Sequence, residues 1–565
     1  MGKGPVTQPI HGYKGQQEEG SVHRGQGVWT HCGLLVIGAV LYTLAFPPYS
    51  VPGTAWIALT PLFLLLYTSS AKQAFVAGLL FGLLWCTGVG YWVYFPVTES
   101  FSLPFPANLL FILANYTLYA GLPAGVATLF SAVLLQRGTT WLRAFGIPAL
   151  WVSSEFLRAN SMFGVSWGIL GYTQYQHPTL IQIADVTSVY GISFLLVLGS
   201  YTAAEIIQGY RVQGTMYRKA ETSNVQRPKL RLQIPAPGHL QLFRSAPVLF
   251  AVSLTVTLGY GILRLRQYAL PPDAPPLRVA MVQGNIPSEQ RWHPAYYAST
   301  LLKYASVTRQ GIVGTPPDLV VWPEFAVNFY LDKEQLLALQ LGQFAQIANT
   351  ALLVGAPRVE EAEAATHYYN SAYLFSATGQ LTGIYDKMRL VPFAEYRPFA
   401  LPRVVDHRPE FPTEFTAGDQ ATVFPLPKST IGVTICYEIA FPAFSRRLAN
   451  NGAQVLVNIS NDTWLSEIPA AVEQHFAMAV LRAVENKRYL IRTATAGVSS
   501  FIDPIGHVYQ ISTAPETMIH GEVFPVHETT VYTKYGDWFA GVCLVLAATT
   551  LIAARAKTAK MQAQA

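Results

Sequence analysis

Apolar residues run along this chain in long blocks rather than in alternation. No Asp, Glu, Lys or Arg occurs from Gly25 to Ala71, from Gln73 to Thr98 or from Ser100 to Gln136. Shorter charge-free runs cover Val186 to Ala204, Ser245 to Leu263 and Trp538 to Ala554. A hydrocarbon slab demands roughly 20 consecutive apolar residues of a helix, so these blocks predict membrane spans. Pro47-Pro48 and Pro52-Gly53 interrupt the first block and split it into helices over 33–48 and 51–70. Further helices are expected over 73–96, 105–135, 140–158, 187–209 and 246–264, with a last one over 537–555. That makes eight transmembrane helices.

The window from Ser100 to Gln136 has room for one long tilted helix or for two short ones around Gly121, Pro123 and Gly125. Loop charges decide between them. The stretch from Tyr210 to Arg244 carries Arg211, Arg218, Lys219, Arg227, Lys229, Arg231 and Arg244 against Glu221 alone, and the tail carries Arg555, Lys557 and Lys560. Both therefore read as cytoplasmic. One helix comes after the basic stretch and one precedes the basic tail, so the segment between those two helices is expected outside the cytoplasm. Arg264 and Arg266 count against this. Residues 1–32 are polar and Gly/Gln-rich, with Lys3, Lys14 and Arg24 ahead of the first apolar run, and are expected to be a disordered cytoplasmic tail. The first apolar run then reads as an uncleaved signal anchor, because a cleaved leader has a short basic start and a small-residue cleavage site.

A seven-helix region over 33–264 is thus succeeded by a connector, 265–276, holding Pro271-Pro272-Asp273-Ala274-Pro275-Pro276, which is expected to be a stiff spacer. From 277 to 527 the texture changes to ordinary charge density and short β-rich runs. These are Arg278–Val282, Leu319–Trp322, Leu352–Val354, Ile431–Ile435, Val455–Ile459 and Tyr489–Thr493, most without strict alternation, as in strands buried on both faces. Helical stretches at Lys333–Thr350 and Ile468–Arg488 intervene, and a Thr378-Gly379 turn joins two strands between Ser371 and Lys387. One large α/β domain is expected here, and 528–565 returns to the membrane and ends in a cytoplasmic tail.

Composition sharpens this. Of 565 residues 51% are hydrophobic and 12% charged, against about 25% charged in a soluble domain, which excludes a wholly soluble or disordered chain. The net charge of +6 is too small to argue for nucleic acid. Cys32, Cys86, Cys436 and Cys543 show neither a disulfide framework nor zinc-ligand spacing, so no metal or organic cofactor is called for.

Cys436 is the cysteine clear of the spans, at the end of the run Ile431-Gly432-Val433-Thr434-Ile435. Strand ends that enter loops are where α/β folds expose reactive groups. Glu324 ends Leu319-Val320-Val321-Trp322-Pro323, and Lys387 lies in Tyr385-Asp386-Lys387-Met388-Arg389-Leu390. Taken singly, each is more simply a buried thiol, a surface carboxylate and a salt-bridge lysine. Together they supply what a thiol nucleophile needs: a base to take its proton and a cation to hold an oxyanion. Burial would raise the Glu324 pKa into a useful range.

The order Glu324 in VVWPE, Lys387 in YDKMRLVPF and Cys436 in GVTICYE resembles the Glu-Lys-Cys triad of the nitrilase, or carbon-nitrogen hydrolase, superfamily. Val282-Gln283-Gly284-Asn285, Val457 to Trp464 and Ile502-Asp503-Pro504-Ile505-Gly506 resemble further motifs of that group. With the spans and Leu390-Val391-Pro392-Phe393-Ala394-Glu395-Tyr396-Arg397-Pro398, nearly the whole chain is similar to the bacterial apolipoprotein N-acyltransferase family. The resemblance implies an α-β-β-α nitrilase-like sandwich on the periplasmic side of the inner membrane, with both termini cytoplasmic. It implies a ping-pong reaction in which Cys436 takes an acyl chain from a phospholipid as a thioester. The chain then passes to the α-amino group of a diacylglyceryl-modified cysteine that begins an apolipoprotein. Glu324 would be the base and Lys387 the oxyanion holder. Glu395 and Glu438 would orient Lys387 and tune the thiol, Tyr437 and Trp292 would line an acyl pocket, and Asn370 would position a reacting group. Trp464 and the loop from Leu465 to Pro469 would form a lid. Two other readings stand beside it: a membrane-anchored amidase in which water completes the cycle, and a transporter or receptor whose outer domain only binds.

Overall fold

The computed structural model describes residues 15–99, 104–161, 164–222, 245–268, 274–287, 290, 293–363, 365–397, 414–463, 468–514 and 516–564. Among the described residues, five helices are long and apolar enough to cross a membrane: Ala71–Thr98, Ala107–Arg137, Ala184–Arg211, Ser245–Gln267 and Trp538–Ala556. Thr30–Ala45 and Pro52–Leu66 are apolar but shorter. Thr140–Ala159 is a helix whose Arg143, Glu155 and Arg158 set it apart from the clean spans. Each of the eight stretches expected to be helical contains helix, and five meet the length and composition of a span.

The stretch from 107 to 137 is one element: α-helix Ala107–Tyr116, a π turn Thr117–Gly121, then α-helix Leu122–Arg137. Pro123 sits in the first turn of the second piece, where its missing N–H costs little. Two expectations are corrected. Helix begins at Gly15, inside the segment expected to be disordered, and the helix that follows a kink at Ser188 runs to Thr222, past the start of the expected basic loop. Extending a helix already nucleated adds a hydrogen bond per residue, and Gln, Glu, Arg, Lys and Ala are good helix formers. Arg264, which counted against an external domain, is paired with Asp185 at 2.9 Å and Glu528 at 2.5 Å. An arginine neutralised inside the protein is not a free topological signal.

Among the described residues, twelve strands form two six-stranded sheets: β1 (Leu277–Gln283), β2 (Leu319–Val321), β3 (Ala351–Glu361), β4 (Thr366–Phe375), β5 (Leu381–Asp386), β6 (Val423–Pro425), β7 (Thr430–Ile435), β8 (Val455–Ser460), β9 (Tyr489–Ala494), β10 (Ser499–Ile502), β11 (Val508–Ser512) and β12 (Thr517–Val523). The orders are β12-β1-β2-β3-β4-β5 and β11-β10-β9-β8-β7-β6. In each sheet three consecutive strands are parallel, β1-β2-β3 and β7-β8-β9, and the outer pairings are antiparallel. The short β6 and the late strands β10, β11 and β12 were not foreseen, since runs such as Val508–Ser512 and Thr517–Val523 mix polar and apolar residues.

Met281, Val321 and Leu353 of one sheet share a core with Val433, Val457 and Ile491 of the other. Alternate residues Ala280, Val320, Trp322 and Leu352 turn outward onto helices Tyr297–Gly311 and Gln335–Ala348. Burial on both faces is why these strands read as continuous apolar runs. The outer face of the second sheet packs Leu456, Leu490 and Ile502 in one cluster with helix Pro469–Asn486 and with Leu170, Tyr172, Ile181 and Val189 of the helical region. Every residue from Gln474 to Asn486 is buried. Polar groups on this helix find partners across the junction, as buried polar groups must. Gln474 Nε2 donates to the carbonyls of Pro47 at 2.9 Å and Val89 at 3.0 Å, and Glu485 accepts from Ser188 Oγ at 2.8 Å. The sandwich is therefore docked on the helical region largely through this helix, which is buried from Gln474 onward.

Candidate active site

Three chain segments leave the two sheets at the same end and converge. Glu324 follows β2 through Trp322-Pro323, Lys387 follows β5 directly, and Cys436 follows β7 as the first residue of a 3₁₀ turn, Cys436–Ala440. All three are buried, at 3%, 1% and 4% exposure. Gly355 on β3 makes room for the first: a Cβ there would come within 2.7 Å of the Glu324 Cα. Cys436 holds a φ of 49°. A residue with a Cβ is strained there by about 1 kcal/mol or more, and such strain is retained where surrounding contacts over-determine it.

Lys387 Nζ lies 3.3 Å from Glu324 Oε1 and 2.8 Å from Glu395 Oε1. Asn370 Nδ2 donates to both carboxylates, at 2.7 Å and 2.9 Å. The second oxygen of Glu324 accepts from the Asn461 N–H at 2.8 Å, and that of Glu395 from the Val391 N–H at 2.7 Å. Glu324 is thus held on both oxygens. The Cys436 thiol feels the charges of Glu324 and Lys387.

Burial raises the Glu324 pKa above its ordinary 4.5, with Lys387 opposing. Burial alone would lower the Lys387 ammonium, yet Glu395 and Glu324 outweigh it and hold the pKa above its usual value. Burial pushes the Cys436 thiol up and Glu324 pushes the same way, against Lys387, so the resting sulfur keeps its proton. Such a group needs a base in reach at the moment of attack.

Sequence reasoning named eight candidates, and the structure brings Glu324, Lys387, Cys436, Asn370 and Glu395 together. Glu438 is buried nearby and makes no hydrogen bond to the Lys387 ammonium among those of the described residues. Its carboxylate accepts from Tyr385 OH at 2.8 Å and from the N–H groups of Ile435 and Met388, both at 2.7 Å, tying the cysteine turn to the lysine loop. Burial pushes its pKa up to about 7. Tyr437 stacks on Trp167 of the helical region, centroids 5.8 Å apart, and its hydroxyl donates to the Gly164 carbonyl at 3.2 Å. Trp292, Trp464 and residues 465–467 lie outside the described residues. Asn461, Ser460, Trp167 and the buried group Asp462, His475 and Arg492 went unassigned. A strand end rich in Asn and Asp, 458–462, was the visible signal for Ser460, Asn461 and Asp462. Among the described residues no cluster of His, Cys, Asp and Glu is arranged to hold a metal.

Comparison with known proteins covers both parts of the chain. Residues 38–202 match a model of the apolipoprotein N-acyltransferase N-terminal domain, and residues 278–524 match carbon-nitrogen hydrolase. The chain is 36% identical over 520 residues to an apolipoprotein N-acyltransferase of Geobacter metallireducens, covering 91% of this chain and 93% of that one. It is 32% identical over 537 residues to an apolipoprotein N-acyltransferase of Pseudomonas putida, covering 93% and 97%. Among solved structures, a nitrilase-superfamily protein of Saccharomyces cerevisiae aligns at 22% identity with a TM-score of 0.34, over 44% of this chain and 90% of that one. An amidase from Nesterenkonia aligns at 18% identity with a TM-score of 0.33, over 47% and 95%.

Proposed function

The chain belongs to the apolipoprotein N-acyltransferase family, and from that premise we propose that Cys436, Glu324 and Lys387 carry its acyl transfer. The protein is a membrane acyltransferase that N-acylates lipoproteins, with a carbon-nitrogen hydrolase fold in its C-terminal part. The acyl donor is a phospholipid, and the acceptor is the α-amino group of an S-diacylglyceryl cysteine.

In the first stage Cys436 Sγ attacks the donor ester and its proton passes to Glu324. The Lys387 ammonium holds the oxyanion, the carbon–oxygen bond breaks, and Glu324 returns the proton to the departing lysophospholipid. In the second stage the amine attacks the thioester and gives a proton to Glu324. Lys387 again holds the oxyanion, the carbon–sulfur bond breaks, and the proton goes back to sulfur. The observation that carries this reading is the buried constellation of one carboxylate, one ammonium and one thiol at the ends of β2, β5 and β7. Glu395 and Asn370 hold Lys387 and Glu324 in register, and Glu438 joins the two loops.

Eight spans, with the sandwich over 277–527 on the periplasmic side of the inner membrane and both termini cytoplasmic, suit this chemistry. Drawing an acyl chain into water costs about 0.8 kcal/mol per CH₂, a cost avoided at a bilayer surface. The basic residues of 210–244 and of the tail, and the neutralised Arg264, support that orientation.

The test is the mass of the protein after exposure to phospholipid vesicles, then after addition of a diacylglyceryl lipopeptide with a free amine. One acyl increment on Cys436 is expected, then its transfer to the lipopeptide. Release as free fatty acid in the presence of that lipopeptide would identify an amidase instead. Because Glu324 must be ionised to accept a proton and its pKa is raised, the acylation rate should climb with pH through a midpoint above 4.5. Glu324→Gln should slow both stages by roughly 10²–10⁴-fold and remove that limb. A wild-type midpoint at or below 4.5 would take the base assignment from Glu324.

A further inference from the structure

A buried polar group behind the nucleophile is not used by the steps above. His475, on helix Pro469–Asn486, places Nε2 3.2 Å from the Cys436 carbonyl oxygen. Its other nitrogen, Nδ1, lies 3.1 Å from Arg492 Nη2 and 3.4 Å from Asp462 Oδ1. Arg492 donates to Asp462 Oδ2 at 2.7 Å, and Ser460 Oγ donates to Asp462 Oδ1, also at 2.7 Å. Arg492 also bonds Asn458, whose Nδ2 reaches the same Cys436 carbonyl at 3.5 Å. His475, Asp462, Arg492 and Asn458 are all buried. Trp167 stacks on the imidazole face, centroids 5.7 Å apart.

These contacts select one protonation state. A doubly protonated ring would gain only a long contact to Asp462 Oδ1 at 3.4 Å, and would aim its Nδ1–H past the nearer Arg492 donor at 3.1 Å and set a second cation beside the guanidinium. A ring protonated on Nδ1 alone would aim its Nε2 lone pair at the carbonyl oxygen. The neutral ring protonated on Nε2 is the form in which Arg492, the nearer neighbour at 3.1 Å, donates to Nδ1 and Nε2–H donates to Cys436, while the Asp462 oxygens take their shorter bonds from Ser460 and Arg492, both at 2.7 Å. Burial and then Arg492 lower the His475 pKa, in agreement.

We propose that His475 is a positioning residue: its Nε2–H holds the Cys436 carbonyl and so keeps the cysteine in its left-handed turn while the sulfur gains and loses an acyl group. The proposal rests on Cys436 being the nucleophile. The hydrogen bond fixes the backbone orientation from which Sγ projects toward Glu324 and Lys387, and the ring itself exchanges no proton with substrate.

Two variants separate this from packing. His475→Phe keeps a flat ring against Trp167 and removes the donor, whereas His475→Gln keeps an N–H donor on a shorter side chain. Single-turnover acylation by phospholipid vesicles should fall roughly 10–100-fold in His475→Phe with KM unchanged, and stay within about threefold of the unmodified enzyme in His475→Gln. Equal losses in both, or none in His475→Phe, would overturn the proposal. A readout independent of how the variants fold is the ¹⁵N spectrum of histidine-labelled unmodified protein. His475 should carry its proton on Nε2 alone, and a proton on Nδ1 would overturn the assignment. If the unmodified enzyme formed no adduct at Cys436, the nucleophile assignment would fail while this tautomer result stood on its own.

Discussion

Cys436→Ala is expected to show no acyl increment by intact-protein mass spectrometry and to lose transfer by about 10⁴-fold or more, as removal of a nucleophile does in comparable acyl-transfer sites. The thiol is buried and protonated at rest, so nothing in the variant replaces a sulfur attack assisted by Glu324. The φ of 49° supplies a folding control. Cys436→Gly should be equally inactive yet more stable than Cys436→Ala by about 1 kcal/mol, because glycine takes that conformation without a Cβ clash. Thermal unfolding of the two variants measures the difference. An adduct of normal abundance in either variant would remove Cys436 from the mechanism. A transporter or receptor with a binding outer domain would keep its function in both.

Lys387→Met is expected to abolish the adduct and also to cost about 3–5 kcal/mol of stability, the range for removing one partner of a buried ion pair. The ammonium sits 3.3 Å from one carboxylate and 2.8 Å from another, both nearly enclosed. Without it, Glu324 and Glu395 share the Asn370 amide with no cation between them. The folded-state pKa of Glu324, already above its ordinary 4.5 with Lys387 opposing, then rises further, so the folded variant holds a proton that the unfolded chain releases. Stability therefore falls as pH climbs above that value, and the deficit should be larger at pH 8 than at pH 5. Adding Glu395→Gln should recover part of the stability and none of the acylation. A single variant as stable as the unmodified enzyme across that range would contradict the buried ion cluster.

The two variants probe different kinds of legibility. Cys436, Glu324 and Lys387 stand at the ends of apolar runs, where a strand must stop and hand a polar residue to a loop, and that edge is visible in one dimension. Asn370 and Glu395 were candidates from their own motifs, and the structure puts Glu395 on the Lys387 ammonium and the Asn370 amide on both carboxylates. Glu438 was expected to orient Lys387. It instead accepts hydrogen bonds from the chain on either side of it, because the cysteine turn and the residues after β5 fold over one carboxylate. His475 and Arg492 sit in a helix and a strand that looked like ordinary core elements. Nothing in their spacing indicated that they meet behind the nucleophile.

The blocks of uncharged residues determined where apolar helices form, five of them long enough among the described residues to cross a membrane, and the continuous β-rich runs determined that the second half is a layered α/β domain. Both arise from local burial, which is written in the residues being buried. Tertiary structure decided that helix Pro469–Asn486 is buried from Gln474 onward between a sheet and the helical region. It also decided which acid faces which base, and how a histidine reaches the carbonyl of a cysteine that precedes it by 39 positions. Such contacts join segments distant along the chain. A polar residue's sequence context shows that it needs a partner, and only the packed fold supplies which one.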